Sequence, residues 1–213
     1  MPVTFDNSTA TVGGALVSLT VALTVANGAV LLAFTANDNT RSVSAMAYNG
    51  VAMTRLGGAA ISSRFSELWV LTAPAVGANN LVVNFTGACS CGIFGMSYTN
   101  VKDVGGFGTV STGISGNAAL ANLSVSSTNT DLVVACAAWI NVNALVFNNG
   151  TTRGSLCVST TCRMVIGEIA GAASVTLSSS STAIGNFFSY GIPLIFSAAA
   201  ASGLYMSLLG VAW

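Results

Sequence analysis

Charge is almost absent from this chain, and histidine is absent altogether. Six Lys or Arg and six Asp or Glu are spread over 213 residues, so the charged fraction is 6% and the net charge is zero. An average soluble domain is about 25% charged. A soluble monomer relies on charge to stay solvated and apart from its copies, and this chain can supply little of it. The same shortage removes the usual acid–base groups. The first expectation is an assembly component, not an enzyme, with no cofactor.

Apolar residues make up 53% of the chain and aromatic residues 8%, which excludes an intrinsically disordered class. Lys102 is the only lysine, and Arg41, Arg55, Arg64, Arg153 and Arg163 are scattered. No basic stripe exists for phosphate contacts, so direct nucleic-acid binding is not expected. The opening MPVTFDNSTATVGG does not read as a signal peptide.

High hydropathy makes a membrane the rival solvent, and three charge-free stretches test it: Asn7–Asn37, Val104–Thr130 and Ile169–Trp213. Within the first, Val17, Leu19, Val21, Leu23 and Val25 alternate with Ser, Thr and Ala. That is the period of a strand with one apolar face. The second is too rich in Gly and Ser to span. Only Ile192–Trp213 has the length of a membrane helix, about 20 residues. It contains Pro193 and Gly203 and has no flanking Lys or Arg, so a last strand and a packing arm are expected there instead.

Short apolar runs alternate with turn signals along the rest. Asn-Gly, a strong hairpin signal, occurs at Asn27-Gly28, Asn49-Gly50 and Asn149-Gly150. Strands are expected at 16–25, 29–34, 42–48, 66–71, 80–86, 92–99, 121–126, 131–138, 144–148, 163–169, 173–178 and 187–195. Helical periodicity is nearly missing; the alanine run Ala198–Ala201 is its one candidate. The pattern predicts an all-β fold, a jelly-roll-like antiparallel β-sandwich.

A weak internal echo accompanies it. Residues 29–36 (AVLLAFTA) resemble 131–138 (DLVVACAA), and Tyr48-Asn-Gly50 matches Asn148-Asn-Gly150. Residues 92–98 (GIFGMSY) likewise resemble 185–190 (GNFFSY). The sandwich is therefore expected over 1–195, with halves at about 16–103 and 118–195 and a linker at 104–117. An uncharged docking arm is expected over 196–213. In that arm Leu204, Tyr205, Met206, Leu208, Leu209 and Trp213 are the candidate interface residues, Trp213 as a plug into a neighbouring subunit.

The stretches Tyr48–Thr54 (YNGVAMT), Leu68–Leu71 (LWVL), Pro74–Gly77, Leu81–Gly87 (LVVNFTG) and Thr130–Val134 (TDLVV) resemble a β-sandwich module of tailed-phage virion proteins and bacterial surface proteins. The likeness spans roughly residues 16–196, and its motifs fix strands and turns, not an active site. It implies a capsid decoration or cement protein on the virion surface. Its partners would be the major capsid protein or other virion subunits, and it would form a homo-oligomer, a trimer. Both ends, Met1–Gly14 and Phe196–Trp213, would reach onto neighbours. The alternatives are a carbohydrate-binding or adhesive module of a virion fibre or cell surface, and a membrane-anchored surface protein.

Chemistry has few candidates. The carboxylates are Asp6, Asp38, Glu67, Asp103, Asp131 and Glu168. Glu67 and Glu168 occupy corresponding places in the two halves, and the simplest reading pairs them with Arg64 and Arg163. Asn37-Asp38-Asn39 reads as a polar turn. Trp69 and Trp139 read as core or interface anchors, a sugar-stacking platform being the rival. Of Cys89, Cys91, Cys136, Cys157 and Cys162, only Cys157 and Cys162 are spaced to staple a hairpin. The others read as small buried hydrophobes, and no zinc-ligand spacing is present.

Overall fold

The computed structural model of the chain describes residues 2–26, 30–102, 106–140, 145–160 and 162–197. Over those residues the β-branched and alternating sequence forms strands throughout. The first half carries β1 (Thr4–Val25), β2 (Val30–Asn37), β3 (Val43–Tyr48), β4 (Val51–Ala52), β5 (Thr54–Ile61), β6 (Arg64–Thr72) and β7 (Gly77–Thr99). The second carries β8 (Ser111–Val125), β9 (Leu132–Ile140), β10 (Leu145–Phe147), β11 (Thr151–Ser159), β12 (Cys162–Ala170) and β13 (Val175–Leu194).

Among the described residues every strand pairing is antiparallel and the strands form two sheets, each drawn from one half of the chain. The first runs β4-β3-β7-β2-β6-β5, with β1 also paired to β7; the second runs β10-β13-β9-β12-β11, with β8 also paired to β13. The long strands are shared between neighbours. Residues 81–85 of β7 pair with β3, and residues 91–98 pair with β2. In the same way β13 pairs with β10 over 179–181 and with β9 over 187–194. A sheet split like this curls over its own inner face.

The curling places the cores. Val30, Leu32, Phe34 and Ala36 of β2 pack with Val134, Cys136, Ala138 and Ile140 of β9 in a core between the halves. Leu31 and Ala33, on the other face of β2, pack with Leu23, Tyr48, Trp69 and Leu81 inside the first half. Trp139 and Ala137 do the same inside the second half, against Phe187 and Val165. All eight residues of β2 are buried. Such strands read as unbroken apolar runs because neither face meets water.

The expected turns form where the chain allows them. Asn49 and Gly50 both have positive φ, 49° and 76°, the backbone that a two-residue hairpin turn demands and that Asn-Gly tolerates best. Gly150 has φ 83°, and a Cβ there would strike the Glu168 carbonyl oxygen. The Asn27-Gly28 pair and Asp103 lie outside the described residues, as do Ala198–Ala201 and the arm residues Leu204, Tyr205, Met206, Leu208, Leu209 and Trp213.

Three expectations need correction. The strands expected at 80–86 and 92–99 are one bent strand, β7, and those at 173–178 and 187–195 are likewise one, β13. The linker at 104–117 is shorter, because Ser111 already begins β8. Met1–Gly14 is not an arm: Thr4 to Gly13 pair with Thr99 to Cys91 of β7. Backbone pairing, which needs no apolar side chain, recruits these Gly-, Ser- and Thr-rich segments into the sheets. No helix among the described residues is long and apolar enough to cross a membrane.

The doubly buried strand should govern stability. Phe34 is fully buried, and Phe34→Ala is expected to cost about 3–5 kcal/mol by urea unfolding. Thr20→Ala on the exposed face of β1 should cost under about 0.5 kcal/mol.

Candidate functional site

The two buried glutamates form two matching constellations. On the β5–β6 hairpin, Arg55 Nε lies 2.6 Å from Glu67 Oε1, and the Val43 N–H donates to Glu67 Oε2 at 2.7 Å. On the β11–β12 hairpin, Arg153 pairs with Glu168, and its guanidinium lies 4.1 Å from the centre of the Phe5 ring. Each pair sits at a register irregularity, between Arg55 and Gly57 in one hairpin and between Thr152 and Gly154 in the other. A bulge re-aims the side chain beside it, here turning arginine towards the carboxylate on the adjacent strand. The partners are thus Arg55 and Arg153, in place of the expected Arg64 and Arg163.

Burial dominates the electrostatics. It raises the Glu67 carboxyl above its ordinary value, against the lowering effects of the Val43 N–H and the Arg55 guanidinium. Arg153 is pushed up chiefly by its hydrogen bond with Glu168. Burial also lifts the tyrosines that close the core between the halves. Tyr190, held to the Ser66 carbonyl at 2.9 Å, rises to about 12. Tyr98 rises through burial and then through the charge of Glu168. Glu67 and Glu168 therefore sit in two separate ion pairs with no partner in common. These are clamps between strands and between halves.

The other candidates resolve in the same way. Trp69 is 8% exposed and Trp139 0%, so neither offers a face to a sugar ring. Asn37-Asp38-Asn39 is a stitched turn: the Asn39 N–H donates to Asn37 Oδ1 and the Ser90 N–H to Asp38 Oδ1. Among the described residues no three His, Cys, Asp or Glu side chains gather as metal ligands do. No disulfide joins Cys157 and Cys162. Cys157 is free and exposed, and Cys162 is free and buried. Cys157 lies opposite Arg163 in the β11–β12 ladder while Cys162 lies opposite Ser159, so the two thiols are not cross-strand partners. Cys89, Cys91 and Cys136 are buried too. Burial raises Cys162 to about 12 and lifts Cys136 further still.

What remains is the place where the described chain ends. Phe196 bridges to Val101 and the Ser197 N–H donates to the Asn100 carbonyl at 2.9 Å. Beside them opens a mostly apolar groove of about 470 Å³, lined by Pro2, Val3, Leu132, Ala170 and Phe196, with Asp131 among its polar residues. Sequence reasoning did not find this groove. Its wall comes from four separated segments that carry no local pattern. Neither Glu67 nor Glu168 lines it. No family model, curated protein or solved structure matches the chain.

Two measurements follow from this geometry. A folded Glu67 pKa above the unfolded value means that the native state binds more protons than the unfolded state between those two values. Its contribution to stability is present below the unfolded pKa near 4.5 and falls as pH rises through the folded one. Urea unfolding across that window should show Glu67→Gln losing this fall. Maleimide labelling of the native chain should modify Cys157 rapidly and the four buried thiols only after denaturation. All five should then react without reductant.

Proposed function

We propose that the chain is a structural protein of a tailed-phage virion, a decoration or cement protein that bridges capsid subunits through its uncharged C-terminal arm. One observation carries the reading. All twelve charges precede Ile169, so the 16 residues that follow Ser197 hold none. Such a tail is poorly solvated unless it is covered, and it leaves the folded body beside an apolar groove. Burial at roughly 25 cal/mol per Å², repeated over many copies, resists outward pressure on a shell without catalysis, and avidity multiplies it. The likeness to virion sandwich modules supports the same class. The native partners would be the major capsid protein or other virion subunits, with the chain as a small homo-oligomer on the capsid surface.

The reading includes a duplicated, jelly-roll-like sandwich. Duplication is supported by strand order: laying β1, β2, β3, β5, β6 and β7 on β8, β9, β10, β11, β12 and β13 reproduces the same pairings. The Arg–Glu clamps and the Asn-Gly turns recur at matching places. Because each sheet comes from one half, the likeness to a jelly roll lies in layered antiparallel packing, not in strands exchanged between layers. The carbohydrate-binding alternative loses its platform with Trp69 and Trp139 buried.

Truncation after Ser197 tests the reading. The shortened chain should keep a β-rich circular dichroism spectrum and fail to co-sediment with particles. Unchanged incorporation sinks the arm. Recovery of the intact chain in detergent-extracted membrane, without capsids, turns the ranking towards an anchored protein.

A further inference from the structure

Sheet edges expose backbone N–H and C=O groups that pair readily with another chain, and proteins blunt them with charges, bulges or brevity. Most edges here are blunted. β4 and β10 are two and three residues long. β5 carries Arg55 and a register shift, and β11 carries Arg153 and two shifts. β1 holds Asp6 and three shifts, and the Asn7 amide donates to the Thr24 carbonyl. β8 differs. It holds no charge over its 15 residues. Its ladder with β13 has two register shifts, both between Ser180 and Phe187, and from Leu120 to Val125 it pairs with Ser180 to Val175 without one. Among the described residues no strand pairs with its other edge.

The surface around that edge is apolar. Leu120 and Val146 both lie opposite Ser180, one on each side of β13. They form a row across three strands, and they are 50% and 51% exposed. Ile114 of β8 and Ile184 of β13 are exposed too, at 52% and 66%. Single exposed apolar residues are ordinary, but a row of them at an open edge marks an interaction surface.

We propose that β8 pairs antiparallel with β8 of a second copy about a twofold axis, joining the two sheets edge to edge. The absence of charge selects this occupant. An isologous contact sets each segment against itself, so a charge on the edge meets its own copy and repels it. β8 is the one long edge among the described strands that carries no such charge. Its outward residues Leu120, Asn122 and Ser124 are exposed while Ala121, Leu123 and Val125 are buried. A twofold axis near Asn122 keeps the buried set on the inner side of both sheets. The assembly unit is then a dimer, in place of the trimer implied by the resemblance. This proposal rests on the assembly reading above but is tested apart from it.

Sedimentation velocity on the full chain should give twice the 21.3 kDa chain mass. Asn122→Lys combined with Ser124→Lys, which brings like charges together at the axis, should weaken dimerisation by more than about tenfold. The circular dichroism spectrum should not change. Thr20→Lys on β1 should leave the mass unaltered. A monomeric wild-type chain, or a dimer indifferent to the double lysine variant, overturns the edge pairing. If such a chain still enters particles, the arm reading survives alone. A dimer sensitive to lysine that fails to enter particles upholds the edge and removes the arm reading.

Discussion

Burial of β2 and β9 on both faces is the constraint on which the rest of the fold depends. A strand with one wet face can be replaced by another alternating segment. A strand buried on both faces requires a core on each side, so it must stand in the middle. The two strands face each other across the core between the halves, and each also walls the inner core of its own half. The long strands β7 and β13 must then bend to close those inner cores. The Arg–Glu clamps sit on the hairpins next outward, where carboxylates on β6 and β12 would otherwise be buried without a partner. Leaving one such charge uncompensated is among the costlier defects a core can hold.

Much of this was legible in the residues. The runs VLLAFTA and LVVACAAW are continuous and apolar, without alternation, which is the pattern of double-sided burial. Asn49-Gly50 located a hairpin because few other pairs accept its backbone. Alternation from Leu16 to Val25 predicted the inward Leu19, Leu23 and Val25. Val17, expected among them, is 58% exposed because register shifts flank Leu16. The first turns of β1 and β8 escaped notice. Their Gly, Ser and Thr residues read as an arm and a linker, and only pairing with a strand roughly 80 or more residues away makes them strands. The Arg partners were missed for a related reason: a bulge changes which side a residue faces, and bulges leave no dependable signal in a single sequence. The groove at Phe196 depends on segments far apart in the chain, so no local pattern reveals it.

Most of the few charges are tied into the fold. Arg55, Glu67, Arg153 and Glu168 are bound up in internal ion pairs. Asp6 accepts from the Ala26 N–H and the Ser97 hydroxyl, Asp38 from the Ser90 N–H and Asp131 from the Thr128 N–H. Seven of the twelve charges thus serve the fold, four of them in ion pairs of zero net charge. Contacts between copies are then set by shape, backbone pairing and apolar area, and salt should influence them weakly. A protein built in this way must blunt its edges by other means, and the bulges and short strands do so nearly everywhere. Along β8 from Leu120 to Val125, where the ladder carries neither a charge nor a shift, an uncharged edge is most favourably accommodated against another protein surface.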